Sequence, residues 1–210
     1  MVVATVFLSV SMHKNMFRLL IVTLCFVPLS AYAESEDFYS RLIFAAKAQT
    51  HHQVTYDGSY MRIAYPNGDV PADRGVCTDV LIRAYRKLGI DLQKEVHEDM
   101  KSAFATYPRI WGLKKPDTNI DHRRVPNLQT FFSRQGIKLA VSDDADNYRP
   151  GDIVSWMLPG NLPHIGIVVD EKSADGKRPL IVHNIGRGPR IEDMLFNYQI
   201  TGHYRYPQDW

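Results

Sequence analysis

The sequence predicts an α+β fold, helices first and an antiparallel sheet after them. Two segments of the first half place apolar residues at helical spacing, and the second half switches to short β-branched runs divided by Pro-Gly and Asp-Gly turns. The links between those runs are short, which favours antiparallel neighbours. With 210 residues and 45% hydrophobic content, the chain suits one globular domain with its own core.

Residues 36–50 read as an amphipathic helix with Phe38, Leu42, Ile43 and Ala46 on one side. Turn-rich chain follows, through Tyr56-Asp57-Gly58 and Tyr65-Pro66-Asn67-Gly68-Asp69. A second helix runs from about Cys77 to Leu88, burying Val80, Leu81, Ala84, Tyr85 and Leu88, with Gly89 as its stop. Residues 93–126 read as polar and irregular, and Leu128 to Gln135 as a short helix ended by Gly136. Pro150-Gly151-Asp152 then turns into a strand from Ile153 to Leu158. His164 to Val169 is the next strand, Pro179 to His183 the third, and Tyr198 to Tyr206 a fourth.

The N-terminus carries an export signal. Lys14 and Arg18 precede the apolar run from Leu19 to Val27, and Ala31-Tyr32-Ala33 supplies a cleavage site. The apolar run is shorter than the roughly 20 residues that span a bilayer. Residues 1–33 are therefore expected to be a signal peptide, with 1–15 an upstream extension if Met12 or Met16 is the true start, and 34–210 to be the mature domain. An uncleaved anchor is the rival reading. Cleavage removes two basic residues from a chain of net charge +2, leaving a neutral protein with no basic run, which argues against nucleic acid. It also removes Cys25 and leaves Cys77 without a partner in the chain. A lone cysteine in an oxidising compartment is either a reactive thiol or a buried small hydrophobe.

Three residues stand where chemistry is expected. Cys77 opens a helix, where free N–H groups and the helix dipole favour a thiolate and are expected to lower its pKa. His164 opens a strand and His183 ends the next, so antiparallel pairing brings the two imidazoles together. If that edge faces the start of the Cys77 helix, the three form a nucleophile, a base and an orienting group. His164 then takes the thiol proton or pairs with the thiolate as imidazolium, His183 fixes its tautomer, and the Cys77 N–H serves an oxyanion.

Gly75-Val76-Cys77-Thr78-Asp79, on a helix that ends in Gly89-Ile90-Asp91-Leu92, resembles the cysteine segment of NlpC-like cell-wall cysteine peptidases. Pro150-Gly151-Asp152-Ile153-Val154, His164-Ile165-Gly166-Ile167-Val168 and Ile181-Val182-His183 resemble their later motifs, in the same order. The likeness covers roughly residues 56–92 and 148–185. It implies a papain-like fold, a Cys77/His164/His183 site, and hydrolysis of an amide in peptidoglycan stem peptides. The chain departs from that family at Val76 and Thr78-Asp79, where the family has Asp-Cys-Ser-Gly, and by a longer insertion at about 93–145. Arg74 to Asp79, Asn119 to Arg124 and His183-Asn184-Ile185-Gly186 also resemble an uncharacterised family of exported bacterial proteins of about this length.

Other residues have two readings each. Arg123 or Arg124 would bind a substrate carboxylate bidentately, or would brace a structural turn. Tyr60 or Tyr65 would donate to the site, as a Tyr does in the resembled family, or would simply pack. Asp79 would touch substrate or cap its helix. His97-Glu98-Asp99 lacks a second ligand cluster and no H-E-x-x-H occurs, so neither metal nor other cofactor is expected.

The expected activity is thus an exported, most simply periplasmic, thiol hydrolase acting on wall peptides. Two alternatives stay open: a non-catalytic protein that binds wall peptides on the same scaffold, and a thiol acyltransferase or amidase working on another acyl substrate. The hydrolase reading requires an accessible Cys77 close to His164.

Overall fold

Phe38, Leu42, Ile43 and Ala46, the apolar face expected of the first helix, are all buried, and they seat that helix on the rest of the protein. The computed structural model describes residues 29–208. The predicted leader up to residue 28 lies outside the described residues, and α1 (Leu29–Ala48) runs through the expected cleavage site. No helix among the described residues is long and apolar enough to cross a membrane.

The protein is a mixed α+β structure. Among the described residues, four helices lie against a six-stranded antiparallel sheet of order β3-β8-β4-β5-β6-β7. The strands are β3 (Ile137–Leu139), β4 (Ile153–Leu158), β5 (Leu162–Lys172), β6 (Pro179–His183), β7 (Arg190–Glu192) and β8 (Gln199–Arg205). A separate two-residue parallel pair, β1 (Thr55–Tyr56) with β2 (Arg74–Gly75), ties the loop after α1 to the residues before Cys77. Period-two alternation divides the sheet between two cores. Ile153, Ile165, Ile167, Val169 and Val182 face the helices, while Val154, Trp156, Val168 and Ile181 pack with Tyr148, Met194 and Leu195 on the other face.

Helix α2 (Cys77–Lys87) ends as expected at Gly89, whose φ of +86° is a backbone conformation that costs glycine little. Gly89 N–H donates to Arg86 O at 3.0 Å and Ile90 N–H to Tyr85 O at 3.1 Å, the paired bonds of a Schellman cap.

Residues 93–126 are not irregular throughout, because α3 (Leu92–Ala103) occupies their start. Leu92, Val96 and Met100 recur every fourth residue and are buried, a stripe that the charged residues around it hide in the sequence. Asp91 caps the helix by accepting from Gln93 N–H at 3.0 Å. Helix α4 (Val125–Gln135) begins three residues earlier than expected, because Pro126 sits in the first turn, where a missing N–H costs nothing. Both helices contribute to the main core through Val96, Leu128, Phe131 and Phe132, so this stretch of the insertion is a packed layer.

The Pro150-Gly151-Asp152 turn anchors the sheet. Buried Asp152 accepts from Arg149 N–H at 2.8 Å and Arg205 Nε at 2.8 Å, and its other contacts are His203 Nε2 at 2.7 Å and Arg205 Nη2. It therefore fastens the entry of β4 to the far end of β8.

Candidate active site

Val76 is extended, and Cys77 is the first residue of α2. Val76 has no polar side chain with which to cap the helix. Asp79 does part of that work, its Oδ2 accepting from Val76 N–H at 2.6 Å. The same carboxylate receives Arg123, whose Nε reaches Oδ1 and whose Nη2 reaches Oδ2, both at 2.9 Å. Arg123 also donates to Ser59 O and Asp57 O, and Thr78 Oγ1 donates to Arg123 O at 3.1 Å. Thr78 and Asp79, the two departures after Cys77, thus lock the turn Asp121–Arg123 onto the start of α2.

Cys77 is only 4% exposed. Burial pushes its thiol up to about 11, opposed by backbone hydrogen bonds at Ile165 and Thr78 and by the Tyr56 hydroxyl. This overturns the expected lowering: loss of water outweighs the helix start. His164 is not among the thiol's hydrogen-bond partners. Its chain neighbour Ile165 is, which sets the sulfur alongside the start of β5.

The two histidines meet as expected. His164 Nε2 lies 2.9 Å from His183 Nδ1, and both rings are buried. Burial and the neighbouring His183 hold His164 down to about 3, and burial lowers His183 as well. Both are neutral imidazoles at neutral pH. Gly166 makes their approach possible, since a Cβ there would sit 2.7 Å from Ile181 Cγ2, 2.9 Å from Val182 O and 3.1 Å from His183 Cβ. Trp156, opposite His164 on β4, backs the ring at a centroid distance of 6.0 Å.

Two residues at the site were not anticipated. In the sequence Tyr56 belongs to a turn, yet in the fold its hydroxyl partners the thiol. Glu192 on β7 places Oε2 3.0 Å from His183 Nε2. Neither has a local signal, because both contacts depend on strand pairing.

The remaining candidates are engaged elsewhere. Tyr60 donates to Asp117 at 3.1 Å and accepts from Asn119 at 3.0 Å, while Tyr65 packs edge-on against His97. Arg124 pairs with Asp121 at 3.1 Å and lies over Trp111. Asp79 and Arg123 are buried against each other, which matches the capping and bracing readings. Asp99 is taken up by Tyr107, Arg134 and Gln135. No group of three or more His, Cys, Asp or Glu side chains among the described residues is arranged to hold a metal.

The family model described as a domain of unknown function (DUF1287) matches residues 43–206. The chain belongs to the DUF1287 family. An Escherichia coli (strain K12) protein described as uncharacterized protein YijF is 54% identical over 161 residues, covering 77% of this chain and 78% of that protein. The DUF1287 match takes in Cys77, His164, His183, Tyr56 and Glu192 together with the whole sheet.

Proposed function

We propose that this DUF1287 protein is an exported cysteine hydrolase with a papain-like, NlpC-type fold, cleaving an amide bond in peptidoglycan stem peptides. The observation that supports the reading is the 2.9 Å bond between His164 Nε2 and His183 Nδ1, on the strand whose Ile165 backbone hydrogen-bonds the Cys77 thiol. Nε2 of His164 is spent on His183, which leaves Nδ1 as the nitrogen that this mechanism offers to the thiol. A neutral thiol and a neutral imidazole call for general-base chemistry, not a resting ion pair.

The Sγ proton passes to His164 Nδ1 as the sulfur attacks the substrate carbonyl carbon. The Cys77 N–H faces the oxyanion. The imidazolium returns the proton to the leaving amine, giving an acyl-thioenzyme. His164 then draws a proton from water, whose oxygen attacks the thioester and frees the acid and the thiol.

A second reading, a wall-peptide-binding protein without catalysis, is favoured by one observation, the burial of Cys77. Incubating the protein with defined muropeptides beside Cys77→Ala, with products read by mass spectrometry, separates them. A new fragment lost in the variant supports the hydrolase. Intact muropeptides that nevertheless bind both proteins support the second reading.

A further inference from the structure

The geometry points to Glu192 as a positioning residue that selects the tautomers of both histidines and so makes His164 Nδ1 the basic nitrogen of the site. This rests on the Cys77–His164 reading for its catalytic meaning, and on two hydrogen bonds for its substance.

A carboxylate only accepts. At 3.0 Å from Glu192 Oε2, His183 Nε2 must therefore carry the hydrogen. A neutral His183 has one N–H, so its Nδ1 is then a bare lone pair. That lone pair lies 2.9 Å from His164 Nε2, which must supply the hydrogen between them. With its hydrogen on Nε2, neutral His164 presents a lone pair at Nδ1. Without an acceptor at position 192, the alternative chain of tautomers becomes possible. In it, His183 donates from Nδ1, His164 accepts at Nε2, and His164 Nδ1 carries a hydrogen and cannot act as a base. Which nitrogen holds the proton is thus set at the far end of the relay, two residues from the thiol.

The position suits that task. Glu192 lies on β7, whose partner β6 ends in His183, and the register sets Ile181 against Glu192 and His183 against Arg190. The Glu192 side chain is 43% exposed and meets water, while the histidine it holds is buried. It lines an open cleft of about 980 Å³ whose other charged and titratable lining groups are Arg187, Arg190, Asp73 and His52. At the other end the thiol faces Tyr56 and Asp79. When the base works, the S–H bond breaks, its electron pair stays on sulfur, and the proton forms the Nδ1–H bond of His164. The Nε2–H toward His183 remains in place, so no second proton need move.

Two readouts test this on the full chain. The first is the ¹⁵N–¹H long-range spectrum of histidine-labelled protein, in which His164 and His183 should both appear as Nε2–H tautomers. An Nδ1–H His183 in the unmodified protein overturns the inference with no variant needed. The second is the pH profile of Cys77 alkylation by iodoacetamide, followed by peptide mass spectrometry so that Cys25 is scored apart. A general base adds a rate at neutral pH that is independent of the thiolate formed at high pH. E192L should lower that neutral rate about tenfold and mix the His183 tautomers, whereas E192Q, which keeps an acceptor oxygen, should stay within about threefold. An E192L protein with unchanged rate and tautomers overturns the inference, as does an E192Q protein as slow as E192L. H164A separates the two claims. If it leaves the neutral rate intact, the Cys77–His164 reading fails, and the tautomer spectrum still decides the role of Glu192.

Discussion

Asp79 and Arg123, 44 residues apart in the chain, meet in a two-pronged ion pair with side chains only 3% and 2% exposed. The pair joins the start of the Cys77 helix to the Asp121–Arg123 turn and to the loop before Cys77. Removing one partner leaves the other charge buried and unpaired, at a cost of about 3–5 kcal/mol. Arg123→Met is expected to lower the thermal midpoint by roughly 6–20 °C, at about 2–4 °C per kcal/mol for a domain of this size. The double change with Asp79→Leu is expected to recover part of that loss. Calorimetry of the three proteins checks it; an unshifted Arg123→Met midpoint would return Arg123 to the pool of substrate ligands.

Tyr56 is 45% exposed, yet its hydroxyl hydrogen-bonds the buried thiol. A hydrogen bond to a charged group is worth about 1.5–3 kcal/mol, so Tyr56→Phe is expected to cut turnover roughly tenfold to a hundredfold. The rise of Cys77 alkylation with thiolate should also move to higher pH. Thermal stability should change little, because the ring remains. Unchanged turnover in Tyr56→Phe would remove Tyr56 from the site.

Gly166→Ala tests the approach of the two histidines. The added methyl would press on Ile181, on the Val182 carbonyl and on His183, and the strand must shift to take it. Overpacking of this kind costs about 1–3 kcal/mol. Chemical denaturation should show that loss, and the neutral-pH alkylation rate of Cys77 should fall with it. A variant destabilised to this degree but with the alkylation rate intact would show that the His164–His183 spacing does not matter to the thiol.

Acid should destabilise the fold through its buried histidines. Burial depresses both His122 and His164 to about 3, against 6.5 in the unfolded chain. Between those values the unfolded state binds more protons, so stability rises with pH and is lost as pH falls below 6.5 towards 3. At pH 5 each group would cost about 2 kcal/mol relative to neutral pH. His183, lowered in the same direction, adds to the slope. Urea denaturation at pH 5 and pH 7.5 measures it, and His122→Asn should flatten the dependence by about one proton; equal stability at both pH values would contradict the burial of neutral imidazoles.

Much of the sheet could be read from the chain, because strand ends there carry Gly, Pro or His signals. The proximity of His164 and His183 followed from one residue opening a strand and the other closing the next, and the structure brings them to 2.9 Å. Helix α3 escaped because its stripe of Leu92, Val96 and Met100 is only one residue wide amid charges. Tyr56, Glu192 and the Asp79–Arg123 pair escaped for a different reason. Each gains its role from a partner brought near by folding, and no local pattern encodes such a partner. The sequence points to a lowered thiol because a helix start is visible in it and the depth of burial is not.

Digestion of purified muropeptides in ¹⁸O-labelled water decides the claim that this protein hydrolyses a wall peptide through its thiol. Wild-type protein should release a fragment whose new carboxyl holds one heavy oxygen, and Cys77→Ala should release none. A fragment formed equally by Cys77→Ala, or muropeptides left whole by both proteins, would contradict the claim.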